Sequence, residues 1–427
     1  MKALRLSVRQ QERWLDLLFL SVLLVLSPFF LLPKITFTWV FLFIPLLWIG
    51  RWAKTNGFLE RTPFDWPLGL FLLQTATTLF IVPDVESALP KITAIVFGVL
   101  LFYGLVAILK SPPWIKLGIL GFLFGGAVVA FLGFLDMLRT SEAVLAATPI
   151  PRLLAAIPKK SLHLPGAELG INPNAVGGAL TLFLPAGTFL LAASLKRDGW
   201  AGSLRLRIII FTLMLLLVLP VVAMIILAQS FSVWLALLLS LFFFGLLGLK
   251  KLGRGSLIII GAEILIFLAL GLGVAVGKID LWKNELHHKL TVRFSLWQSG
   301  LETIEKKPLT GIGLNQVRRL PGPTQPVSHF HNQLIQTGAE QGIPAVIAYL
   351  SFLLISGVLT RRIWKKGRTP WQREAAMGIE AGQMAFFIFG LFDAIPLGTK
   401  PSIFFWYSLA LLAALDNLSR RKPEVQV

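Results

Sequence analysis

The 427-residue sequence contains no cysteine, which rules out a disulfide framework, a thiolate metal site and a cysteine nucleophile. The same absence leaves the redox compartment unread. Charge is scarce as well. Only 14% of residues are Asp, Glu, Lys or Arg, well below a soluble globular domain, and acids are the rarer kind, 21 against 40 bases. A formal net charge of +19 would point to nucleic acid in a soluble chain. It does not do so here, because 56% of the residues are hydrophobic and the mean hydropathy is +0.76. This is the composition of an integral membrane protein.

A helix needs about 20 predominantly apolar residues to cross the hydrocarbon. Runs of that kind fall at 14–32, 35–50, 66–82, 92–109, 115–135, 175–194, 207–228, 231–248, 256–276, 341–360, 375–396 and 401–416, so the expected fold is an all-α integral membrane protein with twelve spans. The first span follows a basic start without a small-residue cleavage pattern and reads as a retained helix. The basic residues give an orientation. With the N-terminus inside, the cytoplasmic side collects Lys2 to Arg13, Arg51 to Arg61, Lys110 and Lys116, Lys196 to Arg207, Lys250 to Arg254, Arg361 to Arg373 and Arg420 to Lys422. These are 25 of the 40 Lys and Arg, held in short loops, so the expected topology is N-in, C-in and most of the basicity is an orientation signal.

The expected organisation is helices 1–5 in residues 1–135, a first outer loop at 136–174, helices 6–9 in 175–276, a large outer loop at 277–340, and helices 10–12 with a cytoplasmic tail in 341–427. The first loop is irregular, with one short helix near Arg152–Ile157. The second is patterned. Leu290, Phe294, Trp297, Leu301 and Ile304 recur at helical spacing and predict an amphipathic helix lying on the outer leaflet or the bundle, ended by Pro308. Thr310-Gly311-Ile312-Gly313 supplies a turn where backbone can approach closely. After a Pro-rich bend, Ser328 is a plausible N-cap for a helix through Gln333 and Glu340. The run from Ser328 to Pro344 is a polar island in a lipid-soluble chain, and there function is to be sought. No long-period repeat is visible, which weakens an inverted-repeat transporter reading.

Residues 277–331 carry Lys278, Lys283, Lys289, Arg293, Lys306, Lys307, Arg318 and Arg319 against four acids. Outer loops are normally poor in Lys and Arg, so the excess calls for an anionic partner, either lipid headgroups or a phosphate or diphosphate. Arg293, Arg318 and Arg319 suit the latter, since a guanidinium fork matches phosphate geometry. Four of the five histidines lie here, as His287-His288 and His329-Phe330-His331. A metal site would need carboxylate support that the neighbouring sequence does not supply. The other possibility is acid/base chemistry at His331, where a helix start favours the neutral imidazole, able to take a hydroxyl proton. Glu263, Glu380 and Asp393 fall within expected spans, where acids are costly; proton coupling is one reading and a structural or supporting role the favoured one. Trp14, Trp39, Trp66, Trp114 and Trp406 are expected in an interfacial belt.

Arg293-Phe-Ser-Leu-Trp297, Pro308-Leu-Thr-Gly-Ile-Gly313, His331-Asn332-Gln333-Leu334 and Glu340-Gln341-Gly342-Ile343-Pro344, in that order before a late span, resemble the signature of the O-antigen ligase and O-antigen polymerase family of envelope glycosyltransferases. Asn172-Pro173-Asn174 and Phe392-Asp393 are weaker points of similarity. The resemblance implies a multi-pass enzyme of the bacterial inner membrane in lipopolysaccharide or polysaccharide biosynthesis, with a periplasmic site, no metal or other cofactor, and a glycan on undecaprenyl diphosphate as donor. It places acceptor activation on His331 and diphosphate binding on Arg293. Arg318, Arg319, Asn332 and Asn174 are the expected substrate-binding residues. One departure stands out, since many members have Ser-Arg where this chain reads Ser230-Phe231. The expected activity is inverting transfer to a sugar hydroxyl acceptor, on lipid A core or similar. A polymerase of the same family and a polysaccharide transporter or lipid flippase are the alternatives.

Overall fold

A computed structural model describes residues 60–140, 172–194, 196, 199–249, 252, 254–275, 286–320 and 329–421, with isolated positions between 14 and 25. The expected spans 14–32 and 35–50, the short helix near 152–157 and the Ser328 cap lie outside the described residues. The described residues form helices and connections only. In chain order these are α1 (Asp65–Ile81), α2 (Val85–Ile108), α3 (Pro112–Thr140), α4 (Pro173–Leu180), α5 (Leu184–Ser194), α6 (Leu204–Leu227), α7 (Phe231–Gly248), α8 (Arg254–Ala275), α9 (Leu286–Lys306), α10 (Gln333–Lys366), α11 (Pro370–Gly390) and α12 (Ile403–Arg420). Eight stretches among them are long and apolar enough to cross a membrane. The expectation of twelve is not reached by these residues, and the expected sixth span is two helices, α4 and α5, joined by a turn at 181–183.

α11 packs along α5, α12 along α2, and α10 along α1. Water drives nothing together inside a bilayer, so such contacts rest on close backbone approach and dispersion. Gly378 and Gly382 give α11 a small-residue face, and a Cβ on Gly382 would sit 2.3 Å from the Leu182 carbonyl oxygen of the α4–α5 turn. Gly98 on α2 makes room for Trp406, whose ring would be 2.2 Å from a Cβ there. Trp406 is therefore not part of the interfacial belt: it is fully buried against Phe71, Phe352 and Phe405, and its Nε1 donates to the Leu397 carbonyl. Trp66, by contrast, is exposed as a belt residue would be.

α10 is two helices joined at a kink. Gly342 has φ 81° and ψ 172°, and Pro344 lacks an N–H, so the helical ladder breaks there. The break orphans carbonyls that must find donors. The 308–316 loop supplies them: Ile312 N–H donates to Ala339 O at 2.8 Å and Gly313 N–H to Glu340 O at 2.9 Å, while Ile343 N–H reaches Pro308 O at 2.7 Å. Two sequence blocks separated by 26 residues of other sequence thus complete one another's hydrogen bonds. A Cβ on Gly342 would lie 2.5 Å from Leu309 backbone atoms, in a conformation that L residues avoid. Gly342→Ala is expected to destabilise the protein by about 1–3 kcal/mol from backbone strain alone. The check is the thermal unfolding midpoint in detergent, and a wild-type midpoint would contradict this account of the kink.

Candidate active site at one end of the bundle

The C-terminal end of α1, the N-terminal ends of α2 and α10, and the 391–402 connection meet at one end of the bundle. α10 begins at Gln333 because Asn332 caps it: Oδ1 accepts the N–H groups of Leu334 and Ile335 at 3.0 and 3.1 Å. Its Nδ2 donates to the Leu391 carbonyl at 3.1 Å. Asn332 is thus occupied as a cap rather than offered to substrate, and the start of the helix lies four residues beyond the position expected from Ser328. His331 stands outside the helix, just ahead of the cap, in left-handed backbone with φ 51°. Gln229 (φ 47°) and Asn315 (φ 63°) share that uncommon conformation, which costs about 1–3 kcal/mol per residue and concentrates at functional sites. One flanks Ser230 and another contacts Glu340; both of those side chains belong to the networks below.

His331 Nδ1 lies 3.0 Å from Asp393 Oδ1. An ionised carboxylate only accepts, so Nδ1 is the nitrogen that carries a hydrogen toward Asp393, and Nε2 is the one left for another partner. Asp393 is 5% exposed and held from the other side. Ala394 N–H donates to Oδ1 at 2.8 Å, Asn174 Nδ2 donates to Oδ2, and Ser230 Oγ donates to Asn174 Oδ1. Burial pushes the Asp393 carboxyl upward, but the hydrogen bond and charge of His331, the charge of His329 and the Ala394 N–H together bring it below its ordinary range. Asn174 therefore acts on Asp393 rather than presenting its amide to substrate. Ser230, beside the position where an arginine is missing, closes the far end of this chain.

His329 sits beside His331 and approaches the same carboxylate oxygen, its Nδ1 3.8 Å from Oδ1 and its ring centroid 4.1 Å from that of His331. Burial, then the charges of His331, Lys91 and Arg318, against the opposing pull of Asp393, lower it to about 4. It is neutral near pH 7, and Lys91 and Arg318 lie close enough for their charge to act on it. Lys91 is also bound to Glu340, Nζ lying 2.6 and 2.8 Å from its two oxygens, and Glu340 Oε1 accepts the Asn315 N–H at 2.8 Å. Asn315 Nδ2 donates to Ser87 O and Gln316 Nε2 to Ser87 Oγ, so the first turns of α2 carry the 308–316 loop.

The arginines divide. Arg319 pairs with Asp84 at 2.9 Å, at the α2 N-cap, and is thereby engaged by the protein. Arg318 is exposed and Arg293 half-buried, and among the described residues neither makes an ion pair. α9 reaches the site through Val292, Leu296 and Ile304, which pack with Phe330, Val317 and Ile335. On the expected apolar face Phe294 and Leu301 are exposed, as residues facing a leaflet would be, so α9 has an outward apolar strip as well as an inward one. Phe330 immediately precedes His331, and Arg293 follows Val292 on the helix.

The expectation that no carboxylate supports these histidines is also corrected, since His329, His331 and Asp393 bring three metal-capable atoms within 4.8 Å of one another. Of the three acids in expected spans, Asp393 is the one that enters the site, where it faces His331. Glu263 accepts from Thr188 Oγ1 at 2.8 Å, far from this end. Glu380 lines a lateral cavity of about 760 Å³ with Arg361, Trp364 and Phe243, toward the opposite end of α10.

Residues 213–350 match a family model described as O-antigen ligase. The match covers about a third of the chain. No curated protein matches it. The matched stretch includes Ser230, Arg293, the 308–313 block, His331 and Glu340, but not Asn174 or Asp393, which the fold contributes from outside it. If Asp393 serves a catalytic site through His331, Asp393→Asn is expected to lower kcat by about 10–100-fold with little change in KM. The amide oxygen still accepts the Nδ1 hydrogen but lacks the charge that stabilises an imidazolium. Steady-state kinetics on the purified variant check this, and an unchanged kcat would remove Asp393 from the site.

Proposed function

We propose that this protein transfers a glycan from undecaprenyl diphosphate to a sugar hydroxyl, on lipid A core or a similar acceptor, at the outer face of the inner membrane. The observation that carries the reading is the His331–Asp393 pair beside His329, on which the charges of Lys91 and Arg318 act. With its Nδ1 hydrogen given to Asp393, His331 presents Nε2 to the acceptor hydroxyl. The hydroxyl oxygen attacks the anomeric carbon as the bond to diphosphate breaks. Its proton passes to Nε2, and the diphosphate leaves with its charge met by Arg293 and Arg318. Attack opposite the leaving group inverts the anomeric centre. Diphosphate is already a good leaving group, so an oriented nucleophile and cationic stabilisation are sufficient, and this mechanism asks for no metal.

The histidine and arginines are expected to face the periplasm in an N-in, C-in chain with the organisation given by the sequence. Arg318 takes the donor contact that Phe231 cannot make, and Arg319 shapes the loop that carries it. The decisive experiment incubates the purified full-length protein with a polyprenyl-diphosphate-linked glycan and a core oligosaccharide acceptor, and looks for a new glycosidic bond by mass spectrometry. A flippase would move the donor across vesicles and form none. A polymerase would be distinguished in a deletion strain, where lipid-linked glycan would stop at single repeat units. Long lipid-linked chains without final attachment would mark a ligase.

A further inference from the structure

We infer that His329, His331 and Asp393 form a divalent transition-metal site, and that a zinc ion bound there switches glycan transfer off. The inhibitory half rests on the reading of His331 as the acceptor-activating group; the binding half does not.

Zinc bonds of about 2.0–2.2 Å to nitrogen and oxygen place neighbouring tetrahedral ligand atoms about 3.3–3.5 Å apart. The separations from Asp393 Oδ1, 3.0 Å to His331 Nδ1 and 3.8 Å to His329 Nδ1, bracket that distance, and all three ligand atoms fall within 4.8 Å. Small side-chain rotations would close the set. His329 Nδ1 accepts the His331 backbone N–H at 3.2 Å, so it turns a lone pair, not a hydrogen, toward the carboxylate. Ligation would exchange that long hydrogen bond for a coordinate bond. The carboxylate is already placed by Asn174 and Ala394, the kind of support that fixes metal ligands. Two imidazoles and one carboxylate suit zinc better than magnesium or calcium, which prefer all-oxygen shells.

Binding and transfer compete for the same atoms. Coordination through His331 Nδ1 moves the ring proton to Nε2, with no net loss of a proton, and turns the nitrogen facing the acceptor from base into donor. Asp393 is withdrawn from His331 at the same time. An acceptor hydroxyl then has nowhere to send its proton.

The test titrates zinc chloride into the purified full-length protein and reads stoichiometry and affinity by calorimetry, with X-ray absorption to identify ligands. One zinc per chain is expected, with two imidazoles in its shell. His329→Gln and Asp393→Asn are each expected to weaken binding at least tenfold, while the double variant His287→Gln/His288→Gln leaves it unchanged. In the transfer assay, half-inhibition should fall at the dissociation constant. Equal zinc affinity in wild type, His329→Gln and Asp393→Asn would overturn the site, as would a shell with fewer than two imidazoles. Zinc that binds but leaves transfer unchanged or accelerates it would overturn the inhibition. A protein that binds zinc as expected yet makes no glycosidic bond would leave the metal site standing and refute the transferase reading.

Discussion

His331→Ala is expected to lower glycan transfer by about 10²–10⁴-fold, the usual contribution of a positioned general base. Alanine offers no proton acceptor, and the Nδ1 lone pair of the neighbouring His329 is already taken by the N–H of residue 331. What survives is the stabilisation that the arginines give the departing diphosphate. Folding should be nearly untouched, because the ring is one-third exposed and Asn332, not His331, caps α10. The one structural debt is the left-handed backbone at position 331, which alanine tolerates less well than histidine. His331→Asn separates the two effects, since asparagine accepts that conformation but cannot act as the base. Both variants should accumulate in the membrane at wild-type levels and both should be inactive in the purified assay. A near-wild-type rate in His331→Asn would sink the assignment.

Arg293→Ala is expected to lower kcat by about 10²–10³-fold, the cost of removing one donor aimed at developing charge. Diphosphate gains negative charge as the glycosidic bond breaks, so a guanidinium held beside it stabilises the transition state more than the bound donor. Arg293 is suited to this because, among the described residues, no carboxylate competes for it and α9 is anchored to Phe330 by Val292 and Leu296. Arg319, paired with Asp84, is not so placed, and Arg319→Ala should cost far less. Arg293→Lys keeps the charge but loses the fork, so a partial recovery is expected. Kinetics with donor and acceptor varied separately decide the matter. A rise in KM for the donor with kcat preserved would make Arg293 a binding group only, and unchanged kinetics would remove it from the site.

The sequence signals that proved most informative were those set by local chemistry. His331-Asn332 announced a helix start in polar sequence, although the capping residue is Asn332 and the histidine lies outside it. Thr310-Gly311-Ile312-Gly313 was read as a place of close backbone approach, and Gly311 and Gly313 do adopt positive φ against the α10 kink. On α9, Phe294 and Leu301 on one side and Val292 and Leu296 on another are all apolar, so periodicity leaves open which strip packs on protein. Trp406 was misplaced, because a tryptophan near a span end looks alike whether it faces headgroups or a glycine on α2.

From the sequence alone come the membrane class, the orientation expected from Lys and Arg, the family resemblance and the histidine to test, because each depends on residue type and near spacing. Only the tertiary structure decides the company His331 keeps. Asp393 is 62 residues away in sequence, Asn174 lies 219 residues before Asp393, and Lys91 meets Glu340 across 249 residues. None of these pairs leaves a periodic trace, since each joins segments far apart in sequence that only the packed bundle brings together. A buried carboxylate in a lipid-soluble chain stays charged only where such packing delivers donors to it, so it is the fold that brings these polar residues together into a site.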